Sequence, residues 1–210
     1  MERPVKIKVC GMRSADNIRQ VEALGVDMMG FICWEGSSRH VSEVPAYLPS
    51  CERVGVFVDA PLSYIQHYAD ALQLTRIQLH GHEDADFCQQ VHEATHLPIT
   101  KAISVRSKDD ILRHEAYARC EAVDLFLFDT KCTCVGGSGE QFDWSVLEHY
   151  RGTKPFLLAG GIGPDDAQRV LSFRHPRFAG IDLNSRFELS PALKDVDALR
   201  TFIQQTTNQL

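Results

Sequence analysis

The chain has 210 residues and carries 22 Lys and Arg against 28 Asp and Glu, a formal charge of -6. That balance, with no basic run, excludes proteins that grip nucleic acid or a membrane surface through clustered Lys and Arg, so neither partner is expected. Hydrophobic residues at 44% and charged residues at 24% are ordinary for a globular domain, and this length can bury roughly 70% of its unfolded surface in one core.

The opening M-E-R-P-V-K-I-K-V-C-G puts charges where an export signal needs an apolar segment, and no apolar stretch is long enough to span a bilayer. A cytoplasmic location is expected. Seven cysteines without framework spacing fit free thiols in a reducing compartment. Cys132-x-Cys134 lacks a second cysteine pair, and His80-x-His82 is interrupted by Gly81 with no carboxylate placed beside it, so no metal site is expected.

Short β-branched or apolar runs alternate with amphipathic segments along the whole chain. They predict strands at Lys6 to Cys10, Met28 to Cys33, Arg53 to Val58, Arg76 to His80, Ile99 to Ala102, Asp124 to Phe128, Pro155 to Ala159 and Ala179 to Leu183. Between them the pattern predicts helices at Ser14 to Leu24, Val44 to Leu48, Leu62 to Leu72, Asp84 to His92, Ser107 to Ala118, Trp144 to His149, Pro164 to Phe173 and Lys194 to Gln205. Ser14 and Ser107 stand as N-caps, Pro164 suits a first helical turn, and Gly25 suits the end of the first helix. Eight strand-helix repeats with parallel strands either open into a doubly wound sheet or close into a (β/α)8 TIM barrel. The count favours the barrel, an α/β fold filled by residues 1–210 as a single domain with short loops, because about 200 residues is the lower limit for it.

In such barrels chemistry gathers where the strands end, and the opposite rim mostly serves stability. Asp129 closes the apolar run from Val123 to Phe128 and is followed by Gly136, Gly137, Ser138 and Gly139, a stretch suited to a loop over a ligand. A carboxyl in that position suits a general acid or, equally, a turn cap. Lys8 and Cys10 share a strand face, and an adjacent ammonium favours the thiolate, which makes Cys10 a candidate base or nucleophile. The three-glycine turn with Gly160 and Gly161 leads into a helix, and the eighth strand runs from Asp182 into Ser185 and Arg186. Loops after strands seven and eight form the recurrent phosphate site of this fold, so a phosphorylated small molecule is the expected ligand. Arg39, in the polar loop after strand two, offers a planar fork for a carboxylate or phosphate. Lys101 is the competing catalytic residue, as the Schiff-base lysine of an aldolase.

Taken in order, K-V-C-G at Lys8, G-V-D-M-M-G-F at Gly25, S-S-R at Ser37, V-G-V-F-V at Val54, I-Q-L-H-G at Ile77, F-D-T at Phe128, G-G-S-G-x-x-F-D-W at Gly136, L-A-G-G-I at Leu158 and G-I-D-L-N-S at Gly180 resemble the phosphoribosylanthranilate isomerase family of tryptophan biosynthesis. The resemblance runs almost the whole chain. It implies an Amadori rearrangement of N-(5-phosphoribosyl)anthranilate with Asp129 as general acid and Cys10 as general base. It further implies that Arg39 meets the anthranilate carboxylate and that Gly160, Gly161, Ser185 and Arg186 hold the phosphate. Lys8, His80 and Asp182 complete the expected substrate-binding set. No cofactor is implied, because the substrate nitrogen serves as electron sink, and the expected assembly is a monomer or weak homodimer. The sequence departs from the family where Arg186 and Phe187 replace the usual Gly and Val, and where Ala192 replaces a usual glycine.

Overall fold

A strand without a polar residue on either face must be covered on both, and parallel strands satisfy this when helices pack outside a closed ring. The computed structural model, which describes residues 5–130 and 144–207, shows that arrangement. Its strands are β1 (Lys6–Cys10), β2 (Met28–Ile32), β3 (Glu52–Phe57), β4 (Arg76–Leu79), β5 (Ile99–Val105), β6 (Val123–Thr130), β7 (Phe156–Ala159) and β8 (Phe178–Leu183). Each pairs in parallel with the next, and β8 returns to β1 to close the barrel.

Alternation sorts the side chains. Met28, Val54, Ala102, Leu127 and Leu157 meet inside the ring, whereas Val9, Phe31, Leu79, Ile103, Phe128 and Ile181 face the outer shell. That shell is built from α1 (Ala15–Glu22), α2 (Leu62–Ala71), α3 (Ala85–Thr95), α4 (Lys108–Ile111), α5 (Ala167–Ser172) and α6 (Val196–Thr207), with short 3₁₀ helices at Leu112–Tyr117, Trp144–His149, Pro164–Asp166 and Ser185–Phe187. No helix among the described residues is long and apolar enough to cross a membrane.

The caps vary in what they do. Asp84 accepts from the Phe87 N–H at 2.8 Å and starts α3. Ser14 makes no side-chain cap bond, while Gly25, at φ 72°, closes the α1 end by donating its N–H to the Glu22 carbonyl at 2.8 Å.

Five expectations need correction. Val44 to Leu48 is not a helix: Val44 precedes Pro45 and Leu48 precedes Pro49, which pushes both away from the α region, and the connection runs irregularly. The segment from Ser107 to Ala118 is a short α4 followed by a 3₁₀ turn rather than one helix, and Trp144–His149 is likewise 3₁₀. β6 continues past Phe128 to Thr130, so Asp129 lies within the strand instead of after it. Lys194 does not open α6; with Leu193 it forms β10, antiparallel to β9 (Glu188–Ser190), because its buried ammonium has partners on the barrel rim. The expected loop at Gly136 to Gly139, and Cys132 and Cys134, lie outside the described residues.

Candidate active site

Parallel strands bring all their C-terminal ends to one rim, and there the structure holds a cavity of about 200 Å³. It is lined by Cys10 of β1, Gln78 and His80 at β4, Asp129 of β6, Gly160 and Gly161 after β7, and Asp182, Asn184, Ser185 and Arg186 at β8. Eight of the ten residues expected at the site therefore share one concavity. The other two flank it.

Cys10 is 4% exposed. Its side chain occupies room that only glycine leaves on the neighbouring strand: a Cβ on Gly30 would stand 2.6 Å from the Cys10 Sγ. The sequence suggests a thiol made more acidic by Lys8. Burial instead pushes the Cys10 thiol up, against the opposing pull of Lys8 and Lys194. Such a thiol is rarely ionised at neutral pH, but its thiolate is a stronger base.

Lys8 lies below the cavity, buried, with its Nζ 2.7 Å from the Asp182 Oδ2. Burial alone would lower the Lys8 ammonium, yet the Asp182 carboxylate outweighs it and holds the group above its usual value. Among the described residues the Asp182 Oδ1 and the Gln78 Oε1 are buried without a hydrogen-bond partner. Two unmet acceptors facing one cavity suit ligand hydroxyls.

At β4 and β6, the Gln78 Nε2 lies 2.9 Å from the His80 Nδ1, and the His80 Nε2 lies 3.4 Å from the Asp129 Oδ2. With Gln78 donating, a neutral His80 carries its proton on Nε2, directed at Asp129. The Asp129 carboxyl stays reachable, with 19% of its side chain exposed.

Opposite, Gly160 and Gly161 take φ of 94° and 67°, a turn that side chains resist. The Arg186 side chain reaches back across it, so that a Cβ on Gly163 would sit 3.3 Å from the Arg186 Nε. Arg186 belongs to the turn Ser185–Phe187 and is absent from the described residues of positive φ, so it replaces the family's glycine without strain. Ala192 does carry that strain, at φ 66°.

Arg39 is outside the cavity lining. Its guanidinium is bidentate on Glu188, with Nε at 2.9 Å from Oε1 and Nη2 at 2.6 Å from Oε2. Glu188, Lys194 and Gln78 went unnoticed as site residues. Gln78 had a signal, the period of two that places it on the same strand face as His80; Glu188 pairs with a residue 149 positions away and had none.

Lys101 is not at the site. It shares the outer face of β5 with Ile99 and Ile103, and its ammonium donates to the carbonyls of Leu79 (3.2 Å) and Gly81 (2.8 Å) and to the Glu83 Oε2 (2.9 Å). That correction removes the aldolase reading, since a Schiff-base lysine must reach a carbonyl. His82 is exposed and paired with Asp59 at 2.9 Å. Among the described residues no three His, Cys, Asp or Glu side chains gather as metal ligands do.

The family model described as N-(5'phosphoribosyl)anthranilate (PRA) isomerase matches residues 7–205. The chain is 45% identical over 206 residues to the N-(5'-phosphoribosyl)anthranilate isomerase of Parabacteroides distasonis, covering 95% of this chain and 92% of that one. It is 46% identical to its counterpart in Phocaeicola vulgatus, with 97% and 98% covered. Among solved structures, the phosphoribosyl anthranilate isomerase of Thermotoga maritima aligns with a TM-score of 0.80 at 29% identity, over 97% of this chain and 99% of that one. A phosphoribosyl anthranilate isomerase crystallised with reduced 1-(o-carboxyphenylamino)-1-deoxyribulose 5-phosphate aligns equally well, at 28% identity over 97% and 99%. By sequence along nearly its full length and by backbone, this chain belongs to the N-(5'-phosphoribosyl)anthranilate isomerase family.

Proposed function

We propose that this enzyme rearranges N-(5-phosphoribosyl)anthranilate to 1-(2-carboxyphenylamino)-1-deoxyribulose 5-phosphate, with Asp129 as general acid and Cys10 as general base. The observation that carries the reading is that these two groups, on β6 and β1, line one cavity together with the β7 and β8 turns. An acid and a base on separate strands reach separate atoms of one sugar.

Protonation of the furanose oxygen by Asp129 breaks its bond to C1 as the anilino nitrogen donates its lone pair, giving an iminium. The Cys10 thiolate then takes the C2 proton, and the C–H electrons form the C1–C2 double bond and neutralise the nitrogen. The resulting enolamine takes a proton at C1 and loses one from the C2 hydroxyl to become the ketone. Nitrogen is the electron sink throughout, so these steps call on no cofactor.

The phosphate is held by the backbone at Gly160, Gly161 and Ser185 and by the Arg186 guanidinium. Asp182 and His80 meet the sugar hydroxyls, Lys8 keeps Asp182 in place, and Arg39 receives the anthranilate carboxylate. The reaction is placed in the cytoplasm; the five cysteines among the described residues are free thiols, in keeping with a reducing compartment. A monomer or weak homodimer suffices, because every group in the scheme comes from one chain.

Cys10→Ala and Asp129→Ala are each expected to lower turnover by at least about a hundredfold, the scale of a lost acid or base, with the circular dichroism spectrum unchanged. The assay is the loss of phosphoribosylanthranilate fluorescence. Near wild-type turnover in either variant ends that residue's assignment, and binding without any turnover in the parent protein makes it a sugar-phosphate binding module instead.

A further inference from the structure

The rim beside Cys10 holds a charged cluster of which the scheme above uses Arg39 alone. Glu188 is 4% exposed in its side chain and accepts from three directions: the Arg39 fork, the Lys194 Nζ at 2.7 Å and the Ala192 N–H at 3.2 Å. Lys194 is itself fully buried and donates also to the Asn184 Oδ1 at 2.8 Å. Its backbone is pinned to α1, since its N–H donates to the Asn17 Oδ1 at 2.8 Å and its carbonyl accepts from the Asn17 Nδ2 at 3.1 Å. A Cβ on Gly11 would stand 2.9 Å from both the Arg39 Cδ and the Asn184 Oδ1, so the cluster lies directly over the residue after Cys10.

A long arginine on a loop is a poor receptor unless something fixes it, because each free rotamer must be frozen on binding. Here Nε and Nη2 are engaged by Glu188, which leaves the Nη1 edge of the guanidinium for a ligand. Burial alone would raise the Glu188 carboxyl, but its hydrogen bonds from Arg39 and Lys194 prevail and keep it below the ordinary carboxylate range. Glu188 is therefore an anion whose charge is met by one cation, leaving the second with positive charge to offer.

We propose that Glu188, locked by Lys194 and the Ala192 N–H, is the positioning residue that orients Arg39 toward the carboxylate on the substrate's aromatic ring, and so sets the preference for a carboxylated aryl group. The inference rests on the proposed role of Arg39. It adds a second consequence. Glu188 follows Ser185, Arg186 and Phe187 directly, so one short segment holds the phosphate at its start and the carboxylate receptor at its end.

The test measures binding of two unreactive ligands, reduced 1-(2-carboxyphenylamino)-1-deoxyribulose 5-phosphate and its counterpart with a plain phenylamino group, by calorimetry. Arg39→Ala, Glu188→Gln and the double variant are compared with the parent, each checked for an intact melting transition. Glu188→Gln is expected to weaken the carboxylated ligand by about tenfold or more, the scale of a misdirected contact, and the plain ligand by less than about twofold. In the Arg39→Ala background it should add nothing to that discrimination. With substrate, KM should rise while kcat holds. Equal weakening of both ligands by Glu188→Gln, or none, while Arg39→Ala discriminates, overturns the positioning role and leaves Arg39 standing. Failure of Arg39→Ala to discriminate overturns the carboxylate reading itself, and the inference with it. If Glu188→Gln does not fold, Glu188→Asp replaces it, one methylene too short for the bidentate pair and expected to give the same pattern.

Discussion

Lys101 and Ala192 show how single residues spend stability in opposite ways. The Lys101 ammonium is 2% exposed, yet each of its protons has an acceptor, and the Glu83 it pairs with also accepts from the backbone N–H groups of Asp59 and Gly81 at 2.9 Å each. Removing one member of a buried pair strands the other, so Lys101→Met is expected to destabilise the fold by about 3–5 kcal/mol in urea unfolding. Borohydride added with substrate is expected to trap no adduct there. Ala192 holds φ 66°, where an L side chain costs roughly 1–2 kcal/mol and glycine costs little. Against the larger entropy glycine loses on folding, about 0.5–1 kcal/mol, Ala192→Gly is expected to stabilise by up to about 1 kcal/mol, read as a higher melting temperature. The strain was visible in the sequence as a departure at a glycine position. Arg186 stands at a glycine position as well, but carries no such strain, because its turn needs no positive φ.

Elements were legible wherever burial is two-sided. The strands carry unbroken apolar runs bounded by turn residues, and each was expected within a few residues of its place. Connections were less so, because a helix on the outer shell needs only a few apolar positions and proline can cancel the pattern, as Pro45 and Pro49 do. Where α4 begins, Asp110 stands in for a long helix: its carboxylate accepts from the N–H groups of Arg106 at 3.0 Å and Ser107 at 3.1 Å. Burial would raise that carboxyl, but the backbone donors and Arg113 prevail and hold it low. Asp110→Ala is expected to cost about 1–2 kcal/mol in chemical denaturation, the range for a lost cap. Of the site, the groups on the barrel strands could be read from period and position; the Arg39–Glu188–Lys194 cluster could not, since no local pattern encodes a contact between a loop and a small hairpin 149 residues away.

Across the whole molecule the two rims of the barrel divide the labour. On the N-terminal side Arg76 fills the ring's end, with its Nε 2.8 Å from the Glu52 Oε1 and its Nη2 3.1 Å from the Asp124 Oδ2. The cavity opens at the other end, with its strained turns and unmet acceptors. Acid should undo the fold through its held carboxylates. Asp110 and Glu188 both titrate below their ordinary values of 3.8 and 4.5. A depressed carboxyl stabilises the fold above its unfolded pKa, and that contribution disappears as pH falls through the folded value. The melting temperature is therefore expected to hold down to about pH 5 and then drop steadily toward pH 3.

Lys8 and Asp182 belong to the first and last strands of the ring, 174 residues apart. A polypeptide emerging from the ribosome can fold segment by segment, but this buried ion pair has no second partner until the eighth strand arrives. Until then a lysine stands in an apolar trough without its counter-ion, which disfavours premature closure. A chain that ends before the eighth strand therefore lacks this counter-ion together with Asn184, Ser185 and Arg186, a whole wall of the cavity.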